Sequence, residues 1–168
     1  AQALTVHLDL AEHLGALDTA LPPDLEKRFE NMGAAARTGN TPAEVARAVR
    51  ELPGWGAILD AAHALEMEWA GVAPLTDYVT ACGDRLERVH ASWPANLYPA
   101  QAMGPGFDTS HSMLHLAGGQ AREFVATLKR LRPDWVTMEG VVPADPLGRD
   151  LLDREAAFLA ALFDGASP

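Results

Sequence analysis

Trp55-Gly-Ala-Ile-Leu-Asp60-Ala-Ala-His63-Ala-Leu-Glu66-Met-Glu-Trp69 is the stretch on which the reading of the fold turns. Its apolar residues Trp55, Ile58, Leu59, Ala62, Leu65 and Trp69 recur largely at i, i+3, i+4 and i+7, the spacing of one face of a helix. Gly71 to Pro74 then closes the run, so the spacing predicts a helix over 55–70 with His63 on the border of its apolar stripe. C-terminal to it, Leu75, Tyr78, Val79, Cys82, Leu86, Val89 and Trp93 keep helical spacing up to Pro94, which predicts a helix over 75–93.

Working outward, Thr41-Pro42 reads as an N-cap followed by proline at the first helical position, and Thr41 with Glu44 makes a capping box. A short helix over 42–52, ended by Pro53-Gly54, is expected there. Leu4, Leu8, Leu14, Leu17 and Leu21 predict a first helix over 4–20, stopped by Pro22-Pro23. Asp24 to Arg37 is polar and charged, and Thr38-Gly39-Asn40 breaks it. On the other side, Pro94 to Phe107 reads as a loop, and Asp108 to Ser110 offer N-caps for a helix over 108–131. Arg132-Pro133 ends that helix, an irregular arm runs to Pro146, and a final helix spans 147–163 with Leu151, Leu152, Phe158, Leu159, Leu162 and Phe163 as its buried face. Sustained period-2 alternation of β-branched residues is missing, as are Asn-Gly hairpin signals. The expected class is all-α: an up-down-up-down helical bundle with extra short helices and an added C-terminal helix, in a single domain over 1–168.

Composition bounds the function. A chain of 168 residues is one domain's worth and can bury a core without staples. A formal charge of -10 and a pI near 4.9 repel phosphate backbones, which argues against nucleic acid as a partner. The apolar runs are broken well short of the ~18 residues a membrane span needs. A single cysteine, Cys82, excludes an internal disulfide and a thiolate-rich metal site and suits a reducing, cytoplasmic setting. The start at Ala-Gln-Ala, without Met, leaves a removed signal peptide or a trimmed chain as open alternatives.

The histidines are the best chemical lead, because neutral imidazole is both a metal ligand and a general base near neutral pH. His111 and His115 stand i and i+4, on one face of the expected helix, and an up-down-up arrangement would bring His63 to their height. Three imidazoles leave coordination positions open for water or substrate, as a catalytic divalent metal requires. Glu66, one turn from His63, would orient an imidazole or add a fourth ligand. The alternative is that His63 is a hydrogen-bonded border residue and the spacing of the pair incidental.

The segment from Trp55 to Trp69, followed by His111-Ser-Met-Leu-His115, resembles the DinB/YfiT-like superfamily of four-helix bundles. That resemblance covers 55–131 loosely and implies one ligand, His63, on the second bundle helix and the pair His111 and His115 on the fourth, around a divalent metal, zinc or nickel. It also implies a thiol-dependent transferase as one activity, the metal lowering the pKa of a bound thiol or water. The first reading is therefore a divalent-metal-binding helical-bundle protein, a thiol-dependent transferase or a metal-dependent hydrolase acting on a small molecule. Its rival is a non-catalytic module for homodimerisation or small-ligand sensing, without metal.

Other features weigh less. Glu87-x-x-His90 has the i, i+3 spacing of carboxylate-bridged di-iron bundles but lacks the further copies these need. His7 and His13 face different ways on a helix, Cys82 lies in an apolar stripe as an inert thiol, and Trp55, Trp69 and Trp93 read as core. Gly118-Gly119 within a helix calls for either close packing or a kink. No phosphate-binding or nucleophile-elbow glycine motif is present.

Overall fold

The computed structural model describes residues 3–98, 111–131, 133, 135–142 and 147–164, and is α/β, not all-α. The chain divides into two compact units, Ala1–His90 and Ala91–Pro168.

In the first unit, strands β1 (Ala3–His7), β2 (Glu26–Glu30), β3 (Gly56–Asp60) and β4 (Leu86–Ala91) lie parallel in chain order. Helices α1 (Ala11–Ala20), α2 (Pro42–Glu51), α3 (Ala61–Trp69) and α4 (Leu75–Cys82) fill the crossovers. Parallel neighbours cannot be joined by a tight turn, and a helical crossover is the usual solution. Strand alternation sorts the sheet into two unlike faces. Val6, Phe29, Ala57, Leu59 and Val89 share one face by register and are all buried. Arg28, Glu30, Ile58, Asp60, Arg88 and His90 share the other.

The bundle expectation fails at the strands, and the DinB/YfiT-like resemblance falls with it. Residues 56–60 are buried along their whole length, so β3 carries an uninterrupted apolar run with no alternation to betray it. Ile58, Leu59, Ala62 and Leu65 belong to a strand and a helix in succession, and their helical spacing is a coincidence of that junction. The expected helix over 75–93 divides likewise into α4, a 3-10 turn and β4, and that over 4–20 into β1, a 3-10 turn and α1. Trp69 is 54% exposed rather than core.

Local chemistry was legible where caps are strong. Thr41 and Glu44 form the capping box, and α2 follows it. The β2–α2 loop ends in Gly39 at φ 79°, where a Cβ would lie 2.3 Å from Leu8 Cβ and 2.7 Å from the Leu8 carbonyl carbon. Gly39→Ala therefore combines left-handed strain with a clash against backbone, and should cost about 2–4 kcal/mol. Thermal unfolding should show a Tm lower by roughly 5–15 °C for a chain of this size; a drop under about 2 °C would refute the tight approach.

In the second unit the backbone pairs Trp93 with Ser112 in an antiparallel bridge, and Glu139 N–H donates to Ala91 O at 3.2 Å. A 3-10 turn over Leu114–Ala117 leads to α5 (Gly119–Leu131), and β5 (Trp135–Met138) lies where an irregular arm was expected. Helix α6 (Leu147–Asp164) matches the expected final helix. Tyr98, Met113 and Leu151 form a small core with Val142 packed against it, and Trp93 meets Phe124 edge-on with centroids 6.2 Å apart. Gly118, at φ 59°, joins the 3-10 turn to α5, so the glycine pair is a junction and not a helix interior. The N-cap candidates Asp108 to Ser110 lie outside the described residues.

Candidate metal centre

A parallel sheet gathers its functional groups at the carboxyl ends of its strands, because there the crossovers open and the backbone leaves a crevice. Glu30 is the last residue of β2, Asp60 the last of β3, and His90 the last but one of β4. Register aligns Asp60 with His90 and places all three on the polar face. One ligand atom each from Glu30, Asp60 and His90 lie within 4.8 Å of one another. His90 Nδ1 is 3.3 Å from Glu30 Oε1. Glu30 is 3% and Asp60 0% exposed, so these are not solvated surface acids.

Two buried carboxylates so close together repel one another and each loses hydration, a cost that a bound counter-cation would relieve. Asp60 is held rigidly. Asn31, just past β2, donates Nδ2–H to Asp60 O at 3.0 Å and accepts Asp60 N–H on Oδ1 at 2.8 Å, so a side-chain amide continues the ladder between strands. Asp60 is also the N-cap of α3, its Oδ1 accepting His63 N–H at 2.9 Å. Oδ2 is left on the side of the imidazoles, 3.5 Å from His63 Nε2.

His63 thus sits in the first turn of α3, between Asp60 and Glu66, whose Oε2 is 3.6 Å from His63 Nδ1. Glu66 Oε2 also accepts Ala34 N–H at 3.3 Å. Gly33 makes this possible: a Cβ there would lie 2.2 Å from Glu66 Oε2 and 2.5 Å from His63 Nδ1. The expected neighbourhood of His63 and Glu66 is therefore present, on α3 of the first unit. His111 and His115 are in the second unit and do not share a helix: His111 precedes the bridge residue Ser112, and His115 is in the 3-10 turn. His111 Nδ1 is 2.8 Å from Ser92 Oγ, and His115 Nδ1 is 2.8 Å from Glu155 Oε2. The reason given for their pairing, i and i+4 on one helix face, does not hold.

Sequence reasoning missed Glu30, Asp60 and His90 as a set, because each was read within a helix or a polar stretch. Glu87 and His90 are on β4, not on a helix. Glu87 is the extra residue at the register shift opposite Ala57 and Ile58, and accepts Arg28 Nε–H at 2.7 Å. The room comes from Gly56, where a Cβ would lie 2.4 Å from the Glu87 carboxyl carbon. Burial pushes the Cys82 thiol up to about 12, so it stays protonated at neutral pH and is no nucleophile.

No protein-family description and no curated protein matches the chain. Among solved structures it is similar to the apo form of the 3-keto-D-glucoside 4-epimerase YcjR from E. coli, with a TM-score of 0.51 and 19% identity over 91% of this chain. The chain spans about half, 51%, of that protein's length. The likeness is one of α/β fold and is the finding that excludes a DinB-like helical bundle. No helix among the described residues is long and apolar enough to cross a membrane.

Proposed function

We propose that the chain carries a divalent-metal centre built from Glu30, Asp60 and His90, serving proton transfer next to a carbonyl on a sugar-like substrate. The observation that carries this is the meeting of two buried carboxylates and a half-buried imidazole at the carboxyl ends of adjacent parallel strands. The donor set fits the group. Two carboxylate oxygens and one ring nitrogen suit a hard to borderline ion such as Mn2+ or Zn2+, and three protein ligands leave positions for a substrate. The metal-binding half of the original expectation is thus retained with a redrawn ligand set. The thiol-transfer reading rested on the helical-bundle resemblance and loses that support.

The carbohydrate part of the proposal draws on the similar epimerase. A ketone at C3 acidifies the hydrogen on C4, so inversion at C4 needs a base to take that proton and an acid to return it on the other face. A divalent ion bound to the C3 oxygen would supply Lewis-acid stabilisation of the charge that develops there. The protein's own part is to orient. Asp60 is fixed by the Asn31 amide and by the α3 cap, and Glu66 with Asp60 brackets the His63 ring beside the site. His63 is the side chain placed to bind a substrate hydroxyl or move a proton at its ring nitrogens.

The test has two arms on the purified protein. Calorimetric titration with Mn2+ and Zn2+ should give one site per chain. A methyl 3-keto-D-glucoside incubated in D2O with the loaded protein should lose its C4 proton signal by NMR, faster than with metal-free protein. Absence of a metal site would overturn the centre; a metal site without exchange would overturn the assigned chemistry.

A further inference from the structure

Two arginines lie on the polar face of the first unit's sheet, and their circumstances differ. Arg28, 3% exposed, is paired twice, with Glu87 at 2.7 Å and with Glu26, so its charge and its donors are accounted for. Arg88 is opposite Ile58 on β4, one alternation below the Asp60–His90 pair and therefore on the same face as the centre. Its Nε is buried and has no hydrogen-bond partner among the described residues, and no carboxylate among them pairs with its guanidinium. A buried guanidinium nitrogen without an acceptor is costly and calls for one from outside the protein.

We infer that Arg88 is the specificity-determining residue for an anionic substrate, holding a carboxylate or phosphate group of the sugar at this centre. The inference rests on the proposed centre for the position of the sugar, and adds its charge. Arg28 cannot serve, being neutralised by its own carboxylates. The guanidinium fork matches a carboxylate or phosphate in two parallel hydrogen bonds. A net charge of -10 repels anions from the molecule as a whole, so an observed preference for them must be local.

The experiment compares binding of D-glucuronate, D-glucose 6-phosphate and D-glucose by calorimetry, with Mn2+ and without it, to the wild type, Arg88→Gln and Arg88→Lys. At least one acidic sugar should bind the wild type about 10- to 100-fold more tightly than glucose. Which of the two acidic probes gains identifies the anion as carboxylate or phosphate. The advantage should shrink below about 3-fold in Arg88→Gln and be partly kept in Arg88→Lys, which retains charge but not the fork. Equal binding of neutral and acidic sugars, or an advantage that survives in Arg88→Gln, overturns the inference. So does a loss of Mn2+ affinity in Arg88→Gln without any acidic preference in the wild type, which would make Arg88 a counter-charge for Glu30 and Asp60. If Mn2+ fails to bind the wild type, the proposed centre falls, and the metal-free comparison still decides the role of Arg88.

Discussion

Asp60→Asn is expected to remove the metal response of the protein while leaving its fold in place. Asn retains an oxygen at the position that caps α3, and the two hydrogen bonds to Asn31 involve the Asp60 backbone, so neither the cap nor the ladder is lost. What disappears is one of the two buried negative charges that face each other at the strand ends, Glu30 and Asp60. In the metal-free protein this relieves repulsion from Glu30, so stability should be unchanged or slightly higher. With metal the sign reverses. At a hundredfold excess over Kd the wild type gains about 2.7 kcal/mol, a rise in Tm of roughly 5–10 °C. Loss of a charged ligand should weaken binding by about 100-fold or more, so the variant's shift should nearly vanish under the same conditions. Thermal scans of both proteins with and without Mn2+ read this directly. An undiminished shift in Asp60→Asn would take Asp60 out of the centre and show that the ion is held by other residues.

How much of this was legible in the sequence depends on what each segment's period was reporting. Helix α2 announces itself through Thr41, Pro42 and Glu44, whose chemistry is local and survives any tertiary setting. Strand β3 announces nothing: five buried residues give no alternation, and Leu59 runs through Asp60 into the helix with no glycine or proline between. Strand β2 hides for the opposite reason. Glu26-Lys27-Arg28-Phe29-Glu30 is charged because its polar face carries Glu30 of the candidate centre and the Arg28 pairs, so it resembles a solvated loop. The polar face of the sheet is thus what obscured the sheet.

The candidate site was legible only in its helical part. His63 with Glu66 is a spacing that a helix preserves, and the structure keeps the two together. Glu30, Asp60 and His90 come from three strands, and only strand register brings them to one level. A residue-level clue did exist: Asp60 ends an apolar run and begins a helix, and an acidic N-cap straight after a buried strand marks the carboxyl edge of a parallel sheet. With Asp60 read in that way, Glu30 at the end of its own segment would have followed.

Glu155→Ala should be the most destabilising single change in the second unit, and it assigns α6 a role that its amphipathic pattern did not suggest. Glu155 is fully buried; its Oε1 accepts Leu114 N–H at 2.8 Å, and its Oε2 accepts His115 N–H at 2.9 Å while lying 2.8 Å from His115 Nδ1. One carboxylate therefore satisfies the opening of the 3-10 turn and orients the imidazole, tying α6 to it. Truncation leaves one buried and one half-buried backbone donor and a ring nitrogen without an acceptor, at about 1–3 kcal/mol each before relaxation, and breaking a buried pair from one side costs about 3–5 kcal/mol in total. Glu155→Gln should recover only part, since its amide offers one oxygen to donors that now use two. The contrast lies on the same helix: Arg154 is 2.9 Å from Asp150, but both side chains are more than half exposed, and Arg154→Ala should cost under about 0.5 kcal/mol. Urea unfolding of the three variants separates the cases. A loss below about 1 kcal/mol in Glu155→Ala would mean that the turn finds other acceptors and that α6 is held by its apolar face alone.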